Sequence, residues 1–326
     1  MTSSTQRPVV SLPLPTVVRA QSPADLPAPA ADGTRALLDR YGRQARDLRV
    51  SLTDRCNLRC TYCMPAEGLE WMPTEQTLSD EETIRLIRIG VGKLGIRQVR
   101  FTGGEPLTRP DLVEIVRQTT TAVPGLPVSM TTNGLGLAKI APALKEAGLT
   151  RVNVSLDTLH PERFHEITRR DRFDDVVAGM AAAHEAGLRP VKVNSVLQRG
   201  INDDEVVDLT RWAVERGYEL RFIEQMPLDA QHSWERTEMI TGQEILASLR
   251  AEFDLEELPG RGAAPAERFL IDGGPATVGV VASVTMPFCG SCDRLRLTAD
   301  GQLRNPFLTD RAIRRADGLD YVATDR

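Results

Sequence analysis

Asp47-Leu-Arg-Val-Ser-Leu-Thr-Asp-Arg-Cys56-Asn-Leu-Arg-Cys60-Thr-Tyr-Cys63 joins an alternating apolar run to a loop that carries three thiols. Leu48–Thr53 has the period-two pattern of a short strand. The thiols therefore sit on the loop leaving a strand's C-terminal end, where α/β sheets and barrels hold their ligands.

Three sulfurs suit some chemistries and not others. A closed zinc site takes four ligands, and the chain's His residues begin only at His160. Buried structural cysteines are apolar in setting, whereas Arg55, Asn57, Arg59 and Thr61 make this loop polar. Disulfides belong to oxidising compartments, and no secretory signal is present. A four-iron cluster normally takes one Cys per iron, so three Cys leave one iron open to a ligand that is not protein.

Outward from this loop, strand and helix patterns alternate. Strands are expected at Leu48–Thr53, Gln98–Thr102, Val128–Thr132, Arg151–Leu156, Val191–Leu197 and Leu220–Gln225. Helices are expected at Asp80–Leu94, Asp111–Ala122, Ala138–Ala147, Asp174–Ala186 and Asp203–Arg216. Ser79 with Glu82 three residues on reads as a capping box, and Gly95, Gly148, Gly187 and Gly217 follow helices as C-terminal caps. Six such units imply a parallel sheet with right-handed crossovers, an α/β fold of the partial, open (β/α)6 TIM-like barrel type. After Gln225 the rhythm changes to a helix near Gln243–Glu252, strand-like runs at Leu255–Leu258 and Thr277–Thr285, and a hairpin turning at Asp300-Gly301. The expected organisation is a flexible Pro/Ala-rich extension over 1–45, the barrel over 46–227, a small C-terminal α+β module over 228–305, and an atypical tail over 306–326.

A net charge of −5 over 326 residues gives no global attraction to nucleic acid or acidic membranes. No apolar run approaches a membrane span, so a cytoplasmic location is expected.

Two further motifs carry chemistry. Thr102-Gly-Gly-Glu-Pro106 follows the second expected strand, and adjacent glycines let backbone approach a ligand closely. Cys289-Gly-Ser-Cys292 opens the C-terminal hairpin and reads as a metal half-site, a redox pair or a turn. Alternation puts Arg294 and Arg296 on one strand face beside that pair, suited to a polyphosphate through bidentate hydrogen bonds or, failing that, to a solvated edge.

Cys-x3-Cys-x2-Cys with Tyr62 before the third Cys resembles the radical S-adenosylmethionine (SAM) motif. The phrases Asp47 to Pro65, Arg100 to Arg109, Thr131-Thr-Asn-Gly134, Asn153-Val-Ser-Leu-Asp157, Lys192-Val-Asn194, Phe222 to Pro227 and Phe288 to Asn305 together resemble the GTP 3′,8-cyclases of molybdenum-cofactor biosynthesis. The resemblance implies a first [4Fe-4S] cluster on Cys56, Cys60 and Cys63, and SAM contacts at Tyr62, Gly104, Ser155 and Met226. It implies GTP contacts at Arg49, Arg100, Thr131, Lys192, Arg294 and Arg296, most of them expected near the barrel mouth. In that family a 5′-deoxyadenosyl radical takes hydrogen from C3′ of GTP, and the carbon radical adds to C8 of guanine. Also implied are an electron donor, a downstream cyclic pyranopterin monophosphate synthase and a homodimer as partners. A buried Arg49 or Lys192 without a partner would be costly, which favours an anionic ligand.

The chain departs from the family at one place. A second cluster there uses three Cys, of which Cys289 and Cys292 are present, but the third position is Pro306 in Leu303-Arg-Asn-Pro-Phe-Leu308. The five Cys of the chain leave no substitute, and the tail lacks the family's closing Gly-Gly. A shifted reading frame after Asn305 would account for both. The expectation is an intact first cluster, an incomplete or externally ligated second cluster, and weakened cyclisation. The alternatives are a radical SAM enzyme with another substrate, or a non-catalytic paralogue that binds GTP or SAM.

Overall fold

The computed structural model describes residues 36–39, 42–227 and 234–304; Pro306, the rest of the tail and most of the N-terminal extension lie outside them. Six strands alternate with helices in the expected order: β1 (Asp47–Ser51), α1 (Asp80–Leu94), β2 (Gln98–Thr102), α2 (Leu112–Ala122), β3 (Val128–Thr132), α3 (Leu137–Glu146) and β4 (Arg151–Ser155). They continue through α4 (Pro161–Thr168), α5 (Phe173–Glu185), β5 (Val191–Leu197), α6 (Val206–Glu215) and β6 (Glu219–Glu224). The C-terminal part supplies α7 (Gly242–Arg250), β7 (Leu255–Leu258), β8 (Glu267–Ile271), β9 (Thr277–Val281), β10 (Arg294–Leu297) and β11 (Leu303–Arg304).

The strands form one open sheet in the order β11-β10-β1-β2-β3-β4-β5-β6-β9-β8-β7. The six central strands are parallel, as the β/α alternation requires. The C-terminal segment does not sit apart from them. It splits, β10 joining β1 and β9 joining β6, both in parallel, with antiparallel β11, β8 and β7 outside them. The parallel portion thus has eight strands but does not close, giving a partial barrel.

Side-chain alternation divides the sheet into two unlike faces. Leu48, Val50, Val99, Phe101, Val128, Met130, Val152, Val154, Val191, Val193, Leu220, Phe222, Val278 and Val280 are buried on the outer face against the helices. Exposure alternates strictly along β2, β5 and β6, with the outer residues buried and the inner ones partly accessible. The inner face therefore borders open space rather than a packed aliphatic centre.

The helix signals hold where local chemistry fixes them. Ser79 and Glu82 form the full capping box of α1, and Gly95 ends it in the left-handed region at φ 76°. Helix α4 and strand β8 had no sequence expectation; both are short, and α4 follows β4 without a second periodic turn to announce it. The end of the expected flexible extension is instead packed. Leu37 is fully buried, Leu38 and Ala45 nearly so, because three apolar side chains there find the core. No helix among the described residues is long and apolar enough to cross a membrane.

Candidate functional site

The three-thiol loop lies at the C-terminal edge of the sheet, directly after β1. Cys56 and Cys60 are half-buried and Cys63 is exposed. Burial raises all three thiols, and Cys60 is raised further by the Asp157 carboxylate and by Cys63 and Cys56, so the three sulfurs share one electrostatic neighbourhood.

Several elements hold this loop. Arg59 and Thr61 donate their backbone N–H groups to Thr168 and Ile167 at the end of α4. Arg169, in the left-handed region at φ 56°, donates from Nη1 to the carbonyls of Arg59 (2.8 Å) and Met64 (3.2 Å), which bracket Cys60 and Cys63. Gly104 packs so tightly beneath the loop that a Cβ there would overlap the carbonyl oxygens of Asp54 and Arg55. Its N–H donates to Thr53, and that of Glu105 to Arg55. The Gly-Gly-Glu segment thus builds the floor of the thiol loop, whatever else it touches.

Two buried carboxylates flank the loop. Glu105 accepts from the Thr132 hydroxyl (2.6 Å) and from the N–H groups of Asn133 (2.6 Å) and Leu107 (2.9 Å), yet burial pushes its carboxyl up to about 7. Asp157 accepts from the Tyr62 hydroxyl (2.7 Å) and the Val196 N–H (2.8 Å), and burial pushes it up to about 6. Ser155 ends β4 and Met226 follows β6, so both stand on the same edge as the thiol loop.

The inner face carries the other group of expected residues. Arg296, Arg49, Arg100, Ser129 and Arg151 lie in one register row across β10, β1, β2, β3 and β4. Thr131, Asn153, Lys192 and Glu219 form the next row, and Arg221 pairs in register with Asn194. Arg294 stands opposite Asp47. On β10 and β1 to β6, seven cations on this face meet two carboxylates, Asp47 and Glu219. Burial and the neighbouring Arg100 and Arg294 push the Arg49 guanidinium down to about 9. Arg100 is lowered by burial and, despite Asp47, by Arg151, Arg221 and Arg294. The buried Nε atoms of Arg49, Arg100 and Arg151 find no hydrogen-bond partner among the described residues.

Lys192 differs from its expectation as a lone buried charge. Its Nζ donates to both oxygens of Glu219 (2.8 and 2.7 Å), and Arg221 donates to Glu219 Oε1 (3.0 and 2.6 Å). The expected location also shifts: Arg49 and Arg100 lie mid-strand, and Lys192 and Arg294 lie toward the sheet's N-terminal edge rather than the mouth.

Cys289 and Cys292 precede β10, which runs parallel to β1, so they lie at the N-terminal edge, opposite the three-thiol loop. Arg43 of the packed N-terminal segment donates to the Cys289 carbonyl, and Arg294 Nε lies 3.2 Å from Cys292 Sγ. Among the described residues no three His, Cys, Asp or Glu side chains converge on a single metal ion. An iron–sulfur cube makes no such demand, since each thiolate binds its own iron.

Sequence reasoning missed Arg151, Arg221, Glu105, Asp157 and the α4–Arg169 clamp. Alternation was signal enough for the first two, because Arg151 shares a face with Asn153 and Ser155. The carboxylates and the clamp depend on contacts between distant segments.

Residues 50–213 match the Radical SAM superfamily model, and residues 218–324 match the Molybdenum Cofactor Synthesis C model. The second match runs past Asn305, where the quoted phrases end. Among solved structures, Streptococcus suis SuiB superposes with a TM-score of 0.56 at 13% identity, over 85% of this chain and 64% of that one. Methylornithine synthase (PylB) gives 0.55 at 14%, over 84% and 79%. Both are likenesses of fold. Fold and matched model define a radical SAM protein, a class that works with a [4Fe-4S] cluster and SAM. A GTP 3′,8-cyclase of Streptomyces coelicolor is 62% identical over 89% of this chain and 87% of its own length. One from Mycobacterium sp. (strain KMS) is 57% identical over 91% and 83%. The chain belongs to the GTP 3′,8-cyclase family.

Proposed function

We propose that this chain binds GTP and SAM and catalyses radical SAM cyclisation of GTP, the first step of molybdenum-cofactor biosynthesis, in the cytoplasm. The observation that carries the reading is the inner face of β10 and β1 to β6: seven cations against two carboxylates, on a protein whose net charge is −5, lie between two groups of cysteines. Buried like charges repel, and a polyphosphate removes that cost.

Cys56, Cys60 and Cys63 fit a [4Fe-4S] cluster by donor chemistry, by their shared neighbourhood and by the close floor at Gly104. When bound, that cluster with SAM supplies one-electron cleavage of SAM to a 5′-deoxyadenosyl radical. Tyr62, Gly104, Ser155 and Met226 bind SAM on the thiol edge. Arg49, Arg100, Thr131, Lys192, Arg294 and Arg296 bind GTP, joined by Arg151 and Arg221. Their work is to orient the ribose toward SAM and to displace water. Cys289 and Cys292 supply two of the three thiolates that a second cluster takes in this family, and Pro306 supplies none. Cyclisation by this chain is accordingly weak unless an outside ligand completes that site.

Anaerobic reconstitution, followed by GTP, SAM and dithionite, tests the reading. The expected result is GTP-dependent 5′-deoxyadenosine with a low yield of cyclised nucleotide; no SAM cleavage with a loaded cluster would overturn it. A second reading, a non-catalytic GTP- or SAM-binding paralogue, draws on one observation: Arg294 Nε already lies against Cys292 Sγ, in a chain with no third Cys for that pair. Tight GTP binding without SAM cleavage would favour it.

A further inference from the structure

Asp157 has no part in ligand binding as described above, yet it is the buried carboxylate that bears most directly on the thiol loop. It is 6% exposed. Its Oδ2 accepts from the hydroxyl of Tyr62, which stands between Cys60 and Cys63, and its Oδ1 accepts from the Val196 N–H of β5. The Asn202 side chain donates to its backbone carbonyl (2.7 Å). Two segments of chain thus hold the carboxylate behind the loop, and a third holds its backbone. No cation forms an ion pair with it among the described residues; the guanidinium groups of Arg59 in the loop and Arg169 after α4 donate to backbone carbonyls.

We propose that Asp157 is a tuning residue: a fixed negative charge behind Cys60 that lowers the reduction potential of the cluster held by Cys56, Cys60 and Cys63. The inference rests on that ligand assignment. Reduction adds an electron to the cluster, and a buried anion beside it opposes the addition with little screening by water or salt. Glu105, beside Cys56, acts in the same direction, so the loop is held between two carboxylates. A strongly reducing cluster is what one-electron cleavage of a sulfonium requires. Asp157 therefore works on the chemistry without touching SAM.

The test is a spectroscopic redox titration of the anaerobically loaded protein at pH 8, where Asp157 is ionised. Asp157→Asn removes the charge and keeps the shape. Its cluster is expected to be more easily reduced, with the ratio of reduced to oxidised cluster at a fixed potential rising about tenfold, about 59 mV for a one-electron couple. Tyr62→Phe removes the hydrogen bond and keeps the charge, so its potential is expected to stay near that of the unaltered protein. An unchanged potential in Asp157→Asn overturns the inference, as does an equal shift in Tyr62→Phe. Should Asp157→Asn not retain the cluster, Asp157→Ser, which keeps a hydroxyl without the charge, takes its place under the same criteria. If the unaltered chain takes up no iron and sulfide at all, the ligand assignment itself has failed.

Discussion

The two cysteine groups stand at opposite edges of one sheet and are built in opposite ways. The loop of Cys56, Cys60 and Cys63 has a glycine floor, a clamp from α4 and Arg169, and two buried carboxylates behind it. The pair Cys289 and Cys292 has two arginines for neighbours, Arg43, itself paired with Asp39, on a carbonyl and Arg294 on a sulfur, with Asp293 beside them. Negative surroundings hinder the addition of an electron, whereas positive ones attract phosphate and other anions. On the proposed reading, the first edge serves redox chemistry and the second borders the proposed GTP site. A third thiol completes the first group alone.

The sharpest way to break this comparison is to remove one thiol from the complete group. Cys60→Ala is expected to abolish the first cluster and lower 5′-deoxyadenosine formation by more than about 100-fold, since even ligand-supporting residues are worth 10–100-fold. Iron counting and product analysis check it; retained cleavage would contradict the ligand assignment. In the cradle, Arg49→Ala or Arg151→Ala should weaken GTP binding by about 10- to 100-fold, the range of a lost charge-assisted hydrogen bond. The same substitutions relieve repulsion, so the nucleotide-free protein should melt at a higher temperature than the unaltered one. Calorimetric titration and thermal melts must move in opposite senses; parallel losses would point to a structural role.

At the incomplete group, Pro306→Cys should raise iron after reconstitution from about four toward about eight per chain, the content of two four-iron cubes. No increase would mean that a feature of the chain other than Pro306 limits assembly. The smallest expected effect is on pH dependence, and the two regions should differ in sign. Glu105 and Asp157 have folded values raised to about 7 and about 6 from ordinary values of 4.5 and 3.8. The folded state therefore binds more protons in that window, and the cluster-free protein loses stability as pH rises from about 4 to 7. Lys192 is lowered by burial and Arg221, against the pull of Glu219, to about 8 from 10.5, so the folded state binds fewer protons there and stability rises from about pH 8 to 10. Melting temperatures across both windows, with Glu105→Gln and Lys192→Met expected to flatten one window each, test the assignment.

Much of the architecture was legible because its signals are local. The capping box at Ser79, the glycine caps and the period-two strands fix α1 and the central sheet without reference to distant residues. The cation row was half legible: alternation places Arg49 beside Ser51, but only register across four strands brings it level with Arg100 and Arg151. The C-terminal strands show the limit more plainly. Nothing within Thr277–Val281 or Arg294–Leu297 says that one will pair with β6 and the other with β1.

The sequence alone determined the identity and spacing of the thiols, the β/α rhythm, and the absence of a third Cys after Cys292. Each is a property of neighbouring residues or of a simple count. Only the tertiary structure decided that the cysteine groups face each other across a cationic face, that Asp157 and Glu105 flank one of them, and that Lys192 is paired with Glu219. Those arrangements join residues far apart in the chain, and their energies come from burial and charge proximity, which exist only once the sheet has formed.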